Sequence, residues 1–220
     1  MSSVSRGMPV DVAIDGPAAA GKGTLARRLA EHFGLAFLDT GLLYRAVGMN
    51  MVRSGADPND PVLAEAAAKA LTPKDLEAED LRTDASADAA SRVSAVPGVR
   101  AQLLEFQRHF AADPPGGAKG TVLDGRDINN LVYPDDNAKL FYTATVEVRA
   151  ERRFKELRER GLDAIHGRVL ADMEERDARD RDRAVSPLEP AKDAYQLDTS
   201  DLDADQVFAA ALGFIRSGNG

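Results

Sequence analysis

The chain has 220 residues, enough for one domain with a proper core and room for insertions. Its 28 basic residues face 36 acidic ones, a net charge of -8 that excludes a broad nucleic-acid or anionic-membrane surface but leaves room for a few local arginines to bind a phosphorylated small molecule. With no cysteine there is neither a disulfide framework nor a thiolate site, and the three histidines, His32, His109 and His166, show no metal-ligand spacing.

The N-terminal run MSSVSRGMPVDVAIDGP carries one arginine and a short alternating stretch broken by Asp11 and Asp15, unlike a signal peptide or a membrane span, so a cytoplasmic protein is expected. Within it Val10, Val12 and Ile14 alternate with Asp11 and Ala13 before a Gly-Pro break, which predicts a strand. GKGTLARRLAEHFG follows, with Leu25, Leu29 and Phe33 at helical spacing and Gly34 as a stop. Between the two lies GPAAAGKGT, residues 16–24, which fits G-x-x-x-x-G-K. A glycine-bounded turn at that place aims backbone N–H groups inward, and the following helix adds its positive dipole end, making a polyanion cradle. Gly16, Pro17, Ala18, Ala19, Ala20, Gly21, Lys22, Gly23 and Thr24 are therefore candidates to hold a nucleotide polyphosphate. Lys22 suits the β- and γ-phosphate oxygens and the Thr24 hydroxyl suits magnesium, although Gly23 separates it from the lysine it usually follows.

Next come a short strand, AFLD, and a helix from about Gly41 to Arg53, ended by the turn residues of SGADPNDP. From Pro61 to Ala112 the pattern is helical, with breaks at LTP and VPG. KGTVLDG and AKLFYTAT read as strands, VEVRAERRFKELRER as a long charged helix, YQLD as a last strand and DADQVFAAALGFI as a closing helix. Five strands alternating with helices predict a parallel sheet covered on both faces, an α/β fold. In such sheets ligands collect at the carboxyl ends of the strands, so Asp124 in TVLDGRD should share one cleft with the phosphate loop and with Asp39, Thr40 and Gly41. A carboxylate there orients magnesium through a water; its competing reading is a turn or cap aspartate.

ERDARDRDRAV, residues 175–185, interleaves four arginines with three aspartates. Read alone it is a solvated face laced with ion pairs. If residues 165–183 form a helix, however, Arg176, Arg179, Asp180 and Arg183 fall within an arc of about 100°, three cations around one carboxylate. The interleaved carboxylates would hold these arginines until phosphates arrive, and Asp180 suits a sugar hydroxyl. A phosphate loop leaves a nucleotide-driven switch and a kinase open; phosphoryl transfer asks for arginines outside the loop, and no N-K-x-D guanine signature is present. A second cationic set, Arg45, Arg100 and Arg126, lies elsewhere in the chain. Tyr44 offers a face on which a base stacks, or a core tyrosine, and Arg100 with Asp127 offers a donor fork and an acceptor for a base edge.

Taken in order, IDGPAAAGKGTLA, LDTGLLYRAV, AASRVSAVPGVR, DGRDI, ERDARDRDRAVSPL and LDTSDL resemble the bacterial cytidylate kinases, P-loop nucleoside monophosphate kinases, over nearly the whole chain. The resemblance implies a three-layer P-loop NTPase fold and transfer of the ATP γ-phosphoryl group to CMP or dCMP with Mg²⁺ (held by Thr24 and Asp124). By similarity, residues 16–24 bind ATP and a mobile arginine-rich lid closes over the phosphates. Arg45, Arg126 and Arg183 match acceptor-phosphate contacts, Asp180 a sugar contact, and Ser91, Arg100 and Asp127 the cytosine-reading set. Thr40 joins the acceptor contacts, Tyr44 packs on the base, and Lys22, Arg176, Arg179 and Arg181 surround the transferred group. The expected layout is a core of residues 8–60, 115–175 and 190–218, an acceptor-binding insert at about 61–114 and a lid at about 176–189. A monomer without nucleic-acid or membrane partners is expected.

Three features depart from the family pattern. Residues 72–96 are short and show no strand pattern, so a small sheet is not expected there. Asn129-Asn130 stands where the family has Gly-Thr, and Asn129 is expected to keep a left-handed turn. Ala19 replaces a loop glycine, a mild change if the backbone angles there are ordinary.

Overall fold

The computed structural model describes residues 11–133, 138–183 and 186–217. Val10, the 134–137 stretch and residues 184–185 of the arginine-rich run therefore lie outside the described residues. Five strands, β1 (Val12–Asp15), β2 (Ala36–Asp39), β3 (Thr121–Gly125), β4 (Ala138–Thr143) and β5 (Tyr195–Asp198), form one sheet in the order β2-β3-β1-β4-β5. Every pairing is parallel. β1 and β3 are buried along their whole length, as strands covered on both faces must be.

Helix α1 (Lys22–Phe33) leaves the phosphate loop and ends at Gly34, which takes the left-handed conformation (φ 67°) that a helix stop asks for. Its Leu25 and Leu29 pack with Val12, Ile14, Val122 and Leu140 of the sheet, and α9 (Ala204–Arg216) adds Val207 and Ile215 to the same core. Asp203 and Gln206 form a reciprocal cap that starts α9. On the opposite face Ala13 and Leu123 meet Ile128 and Val132, with Leu104 and Phe110 packed against them.

Helices α2 (Thr40–Arg53), α3 (Pro61–Lys69), α4 (Asp84–Val93) and α5 (Pro97–Ala112) carry a separate core of Leu43, Val47, Met51, Val93, Val99 and Leu103. Gly48 lets α2 and α4 touch: a Cβ there would stand 2.8 Å from Ala89. No strand occurs among residues 61–117. The interruption expected at LTP is wider than the sequence suggested, reaching from residue 70 to residue 83. Two 3₁₀ turns, Pro73–Glu77 and Glu79–Arg82, precede α4, because Thr72 and Asp75 close a capping box and Thr83 then caps the next helix.

A short helix, α6 (Ile128–Leu131), follows β3 where a left-handed turn at Asn129 was expected. Asn129 is helical instead; its side-chain amide donates to the Leu140 carbonyl, so it clips α6 to β4. Helices α7 (Val146–Glu159) and α8 (His166–Arg181) then pack on one another and cross to β5. No helix among the described residues is long and apolar enough to cross a membrane.

Candidate active site

The strand register decides where the chemistry collects. Asp39 and Ile14 both pair with Asp124, and Asp15 pairs with Gly125, so the ends of β1, β2 and β3 bring three carboxylates to one edge of the sheet. A cleft of about 730 Å³ opens there, walled by the phosphate loop, the start of α2, α4, the residues after β3 and the inner face of α8. A second cavity of about 260 Å³ adjoins the loop's outer side and shares Ala20, Gly21 and Thr24 with it.

The loop itself is shaped by its glycines. A Cβ on Gly16 (φ 149°) would lie 1.9 Å from the Tyr142 carbonyl oxygen, so only glycine fits there, and Gly21 (φ 96°) sets the entry to α1. Gly16 and Pro17 form the base of the loop and do not line the cleft, whereas residues 18–24 do. Ala19 has φ 56°, so its backbone angles are not ordinary, contrary to expectation. A side chain in that region costs about 1–2 kcal/mol, which the family glycine avoids. Lys22 is buried, donating from Nζ to the Pro17 carbonyl at 2.8 Å and standing 3.8 Å from Asp124 Oδ1. Burial, then Arg126, pulls the Lys22 pKa down, while burial pushes Asp124 up. Asp124 therefore faces a cation and the loop, and the turn or cap reading falls away.

Asp15 was not singled out from the sequence, yet it is fully buried and accepts from the backbone N–H groups of Ile128 (2.9 Å) and Asn129 (2.8 Å). It thus fixes the segment that carries Arg126 and Asp127 to the end of β1. Burial pushes its pKa up to about 7 against those two donors. Thr40 lines the cleft but spends its hydroxyl on the Asp124 carbonyl at 2.8 Å, joining α2 to β3.

Across the cleft stands the arginine helix. Arg176, Arg179 and Asp180 all line the cleft from α8. Arg183 lies beyond the C-cap Asp182, so it does not share their helical face as expected; it reaches the same cleft because its Nε donates to the Asp180 carbonyl at 3.2 Å. Arg181 points away, with 67% of its side chain exposed and its guanidinium on Asp182, and it does not line the cleft. Asp180 is the acid at the centre, accepting from Arg126 Nε at 2.9 Å and standing 4.0 Å from Arg183 Nη1. Burial opposes its ionisation, but Arg126, Arg176 and Arg183 outweigh burial and hold its carboxyl below the usual range. The three aspartates of the run therefore diverge. Asp180 neutralises the cleft arginines, Asp182 pairs at the surface, and Asp177 pairs with Arg149 of α7.

The base-reading candidates are also assembled. Arg100 donates to Asp127 and to the Ser94 carbonyl, and its guanidinium lies 5.7 Å from the centre of the Tyr44 ring. Tyr44 packs on the helical core and also lines the cleft. Arg45 is anchored on the Leu81 carbonyl and Ser86 hydroxyl at 2.9 and 2.8 Å. Arg153 of α7, missed in the sequence, enters the cleft and pairs with Asp84, and Arg179 pairs with Asp88, both acids on α4. The i, i+3, i+4 spacing of Arg149, Arg152 and Arg153 was the available signal for an inward-facing set.

Several donors in the cleft have no acceptor among the described residues. Ser91 Oγ, Arg100 Nε, Arg176 Nε, Arg179 Nε and Arg183 Nη2 are buried without a hydrogen-bond partner. Burial, then Arg126, draws the Arg176 pKa down to about 10, with Asp180 opposing the shift. Such donors around a phosphate loop suit a ligand with several phosphoryl oxygens. Oxygen donors at Thr24 and Asp124 fit a hard cation such as magnesium, and no cluster of three or more acidic or histidine ligands exists among the described residues.

The comparisons with known proteins bear on the family of the chain. The family model described as cytidylate kinase matches residues 12–217. A cytidylate kinase from Paramagnetospirillum magneticum is 67% identical over 210 residues, covering 96% of this chain and 99% of that one. Another from Rhodospirillum rubrum is 57% identical over 93% of this chain and 96% of its own. A crystal structure of an uncharacterized protein from Eubacterium ventriosum superposes with a TM-score of 0.54 over 94% of this chain and 99% of that one, at 17% identity, a likeness of fold alone. A matched model and relatives of this identity, over nearly the full length on both sides, leave one conclusion: the chain belongs to the cytidylate kinase family.

Proposed function

We propose that the protein transfers the γ-phosphoryl group of ATP to CMP or dCMP, giving ADP and CDP or dCDP, as a cytoplasmic monomer whose cleft is complete in one chain. The observation that carries this reading is the set of unpartnered buried donors on Arg100, Arg176, Arg179, Arg183 and Ser91, facing the phosphate loop across one cleft. Donor phosphates lie in the cradle of residues 16–24 with Lys22 on their outer oxygens, and the donor's base enters the smaller cavity beside Gly21 and Thr24. The acceptor phosphate meets Arg45, Arg126 and Arg183. Cytosine presents an amine donor and ring acceptors, so Asp127 takes the amine while Arg100 and Ser91 donate to the ring, with Tyr44 against the base and Asp180 on a sugar hydroxyl.

An acceptor phosphate oxygen attacks the γ-phosphorus in line; the new P–O bond forms as the bond to the ADP oxygen breaks. Lys22, Arg176 and Arg179 spread the charge that develops on the three equatorial oxygens. The acceptor oxygen already carries negative charge, so no general base is required. Thr24 and Asp124, the latter directly or through a water, would hold magnesium, which would add neutralisation of the polyphosphate charge. The resemblance also assigned Arg181 to this group, but its exposed position opposes a role there in the present arrangement.

The layout that suits this chemistry is a core at 8–60, 115–175 and 190–218, an acceptor insert at about 61–114, and a lid at about 176–189 that excludes water on closing. ADP formation measured with CMP, dCMP, UMP, AMP, GMP and shikimate tests the reading. A cytidine nucleotide should give the fastest turnover, and a best rate with any other acceptor overturns it.

A further inference from the structure

Arg149 sits in the first turn of α7 and is only 4% exposed. Its guanidinium reaches partners in three different parts of the chain. Nε donates to the Ala144 carbonyl beyond β4 at 2.9 Å; Nη1 donates to the Ala18 carbonyl in the phosphate loop at 3.2 Å and to Asp177 Oδ1 at 3.1 Å; Nη2 donates to Asp177 Oδ2. A fork-to-fork pair of this kind fixes orientation as well as distance. Asp177 follows Arg176 on α8 and precedes Arg179 and Asp180, so its position sets the part of the helix that faces the cleft.

At the other end of the contact, the Ala18 carbonyl is the peptide group that leads into Ala19, whose left-handed backbone (φ 56°) is strained for any residue with a side chain. Such a conformation persists only where its surroundings hold it. Arg149 supplies a buried, charge-assisted hold at that peptide.

We propose that Arg149 and Asp177 are positioning residues that clamp the strained turn of the phosphate loop to the arginine-bearing helix, setting the donor cradle and the cleft arginines Arg176 and Arg179 in one frame. Neither touches the reacting atoms. The clamp explains why an aspartate inside the arginine run turns away from its neighbours, and why an alanine is tolerated where the family carries glycine. It rests on the phosphoryl-transfer reading above, though not on the choice of acceptor.

Steady-state kinetics on Arg149→Ala, Arg149→Lys and Asp177→Asn, alone and with Ala19→Gly, test it, using whichever acceptor the wild type turns over fastest. ADP affinity is measured calorimetrically without acceptor. Arg149→Ala should lower kcat/KM for ATP by about tenfold to a hundredfold, the scale of a misplaced catalytic frame, through both a higher KM and a lower kcat. Arg149→Lys, which keeps one donor but loses the fork, should fall between Ala and wild type. Asp177→Asn and Arg149→Ala should be coupled in a double-mutant cycle. Ala19→Gly should restore part of the ADP affinity in the Arg149→Ala background, because glycine takes the turn without strain. The clamp is overturned if Arg149→Lys and Asp177→Asn keep kcat/KM for ATP within about twofold of wild type while only melting temperature falls. It is equally overturned if the two sites are additive, or if Ala19→Gly recovers nothing. A preferred acceptor other than a cytidine nucleotide would overturn the proposed function and leave the clamp standing.

Discussion

Asp180→Asn probes the charge balance of the cleft directly. Asparagine keeps the shape and one acceptor oxygen, but it removes the carboxylate hydrogen-bonded to Arg126 Nε and turns an amide donor toward a cationic group. Severing a buried ion pair outright costs about 3–5 kcal/mol, and a hydrogen bond to a charged group is worth about 1.5–3 kcal/mol. Because asparagine retains geometry and the cleft admits water, a loss of about 2 kcal/mol is expected, below the first range and in the lower half of the second. For a chain of this length that is a drop of about 4–8 °C in Tm. The deficit arises from arginines left without an anion, so inorganic phosphate should stabilise the variant more than the wild type. Chemical and thermal denaturation with and without phosphate measures both effects. A Tm change below about 1 °C, or equal stabilisation by phosphate in the two proteins, refutes the assignment of Asp180 as the counter-charge of the cleft.

Arg176→Ala should cut turnover by about a hundredfold or more, while Arg181→Ala, an exposed surface pair, should change stability by less than about 0.5 kcal/mol and leave kcat within twofold; kinetics on the two side by side decides. Asp15 makes stability depend on pH. Its folded pKa of about 7 lies above the 3.8 of an ordinary aspartate, so the protonated acid is favoured by folding. Its contribution is present in full below pH 4 and is lost as pH rises to about 7, with a slope of up to about 1.4 kcal/mol per pH unit. Denaturant titrations should show wild type losing stability relative to Asp15→Asn across that window, and a flat difference rejects it.

Much of the protein was legible because its elements announce themselves locally. Alternation in VAID, the glycine-bounded loop and the 3.6-residue spacing of Leu25, Leu29 and Phe33 each express a short-range preference of the backbone or of one buried face. A parallel sheet then brings its carboxyl ends together, which is why Asp39 and Asp124 could be assigned to one edge before any coordinates. The backbone at Ala19 and Asn129 was misread for the opposite reason. Each residue's own preference was outvoted by distant partners: the Ala18 carbonyl is held by Arg149, and Asn129 is drawn into a helical turn by Asp15 and the Leu140 carbonyl.

Charge was the least legible property. The sequence by itself determined that four arginines and three aspartates crowd into residues 176–183, and that a phosphate loop awaits them. Helical phase alone could not say which aspartate meets which arginine, since long side chains reach across elements and Arg183 has already left the helix. Only the tertiary structure sent Asp177 to Arg149, Asp182 to the surface and Asp180 to Arg126. The physical reason is burial: an ion pair gains strength where water is excluded, and exclusion is a property of the packed assembly of α7, α8 and the sheet rather than of any stretch of chain.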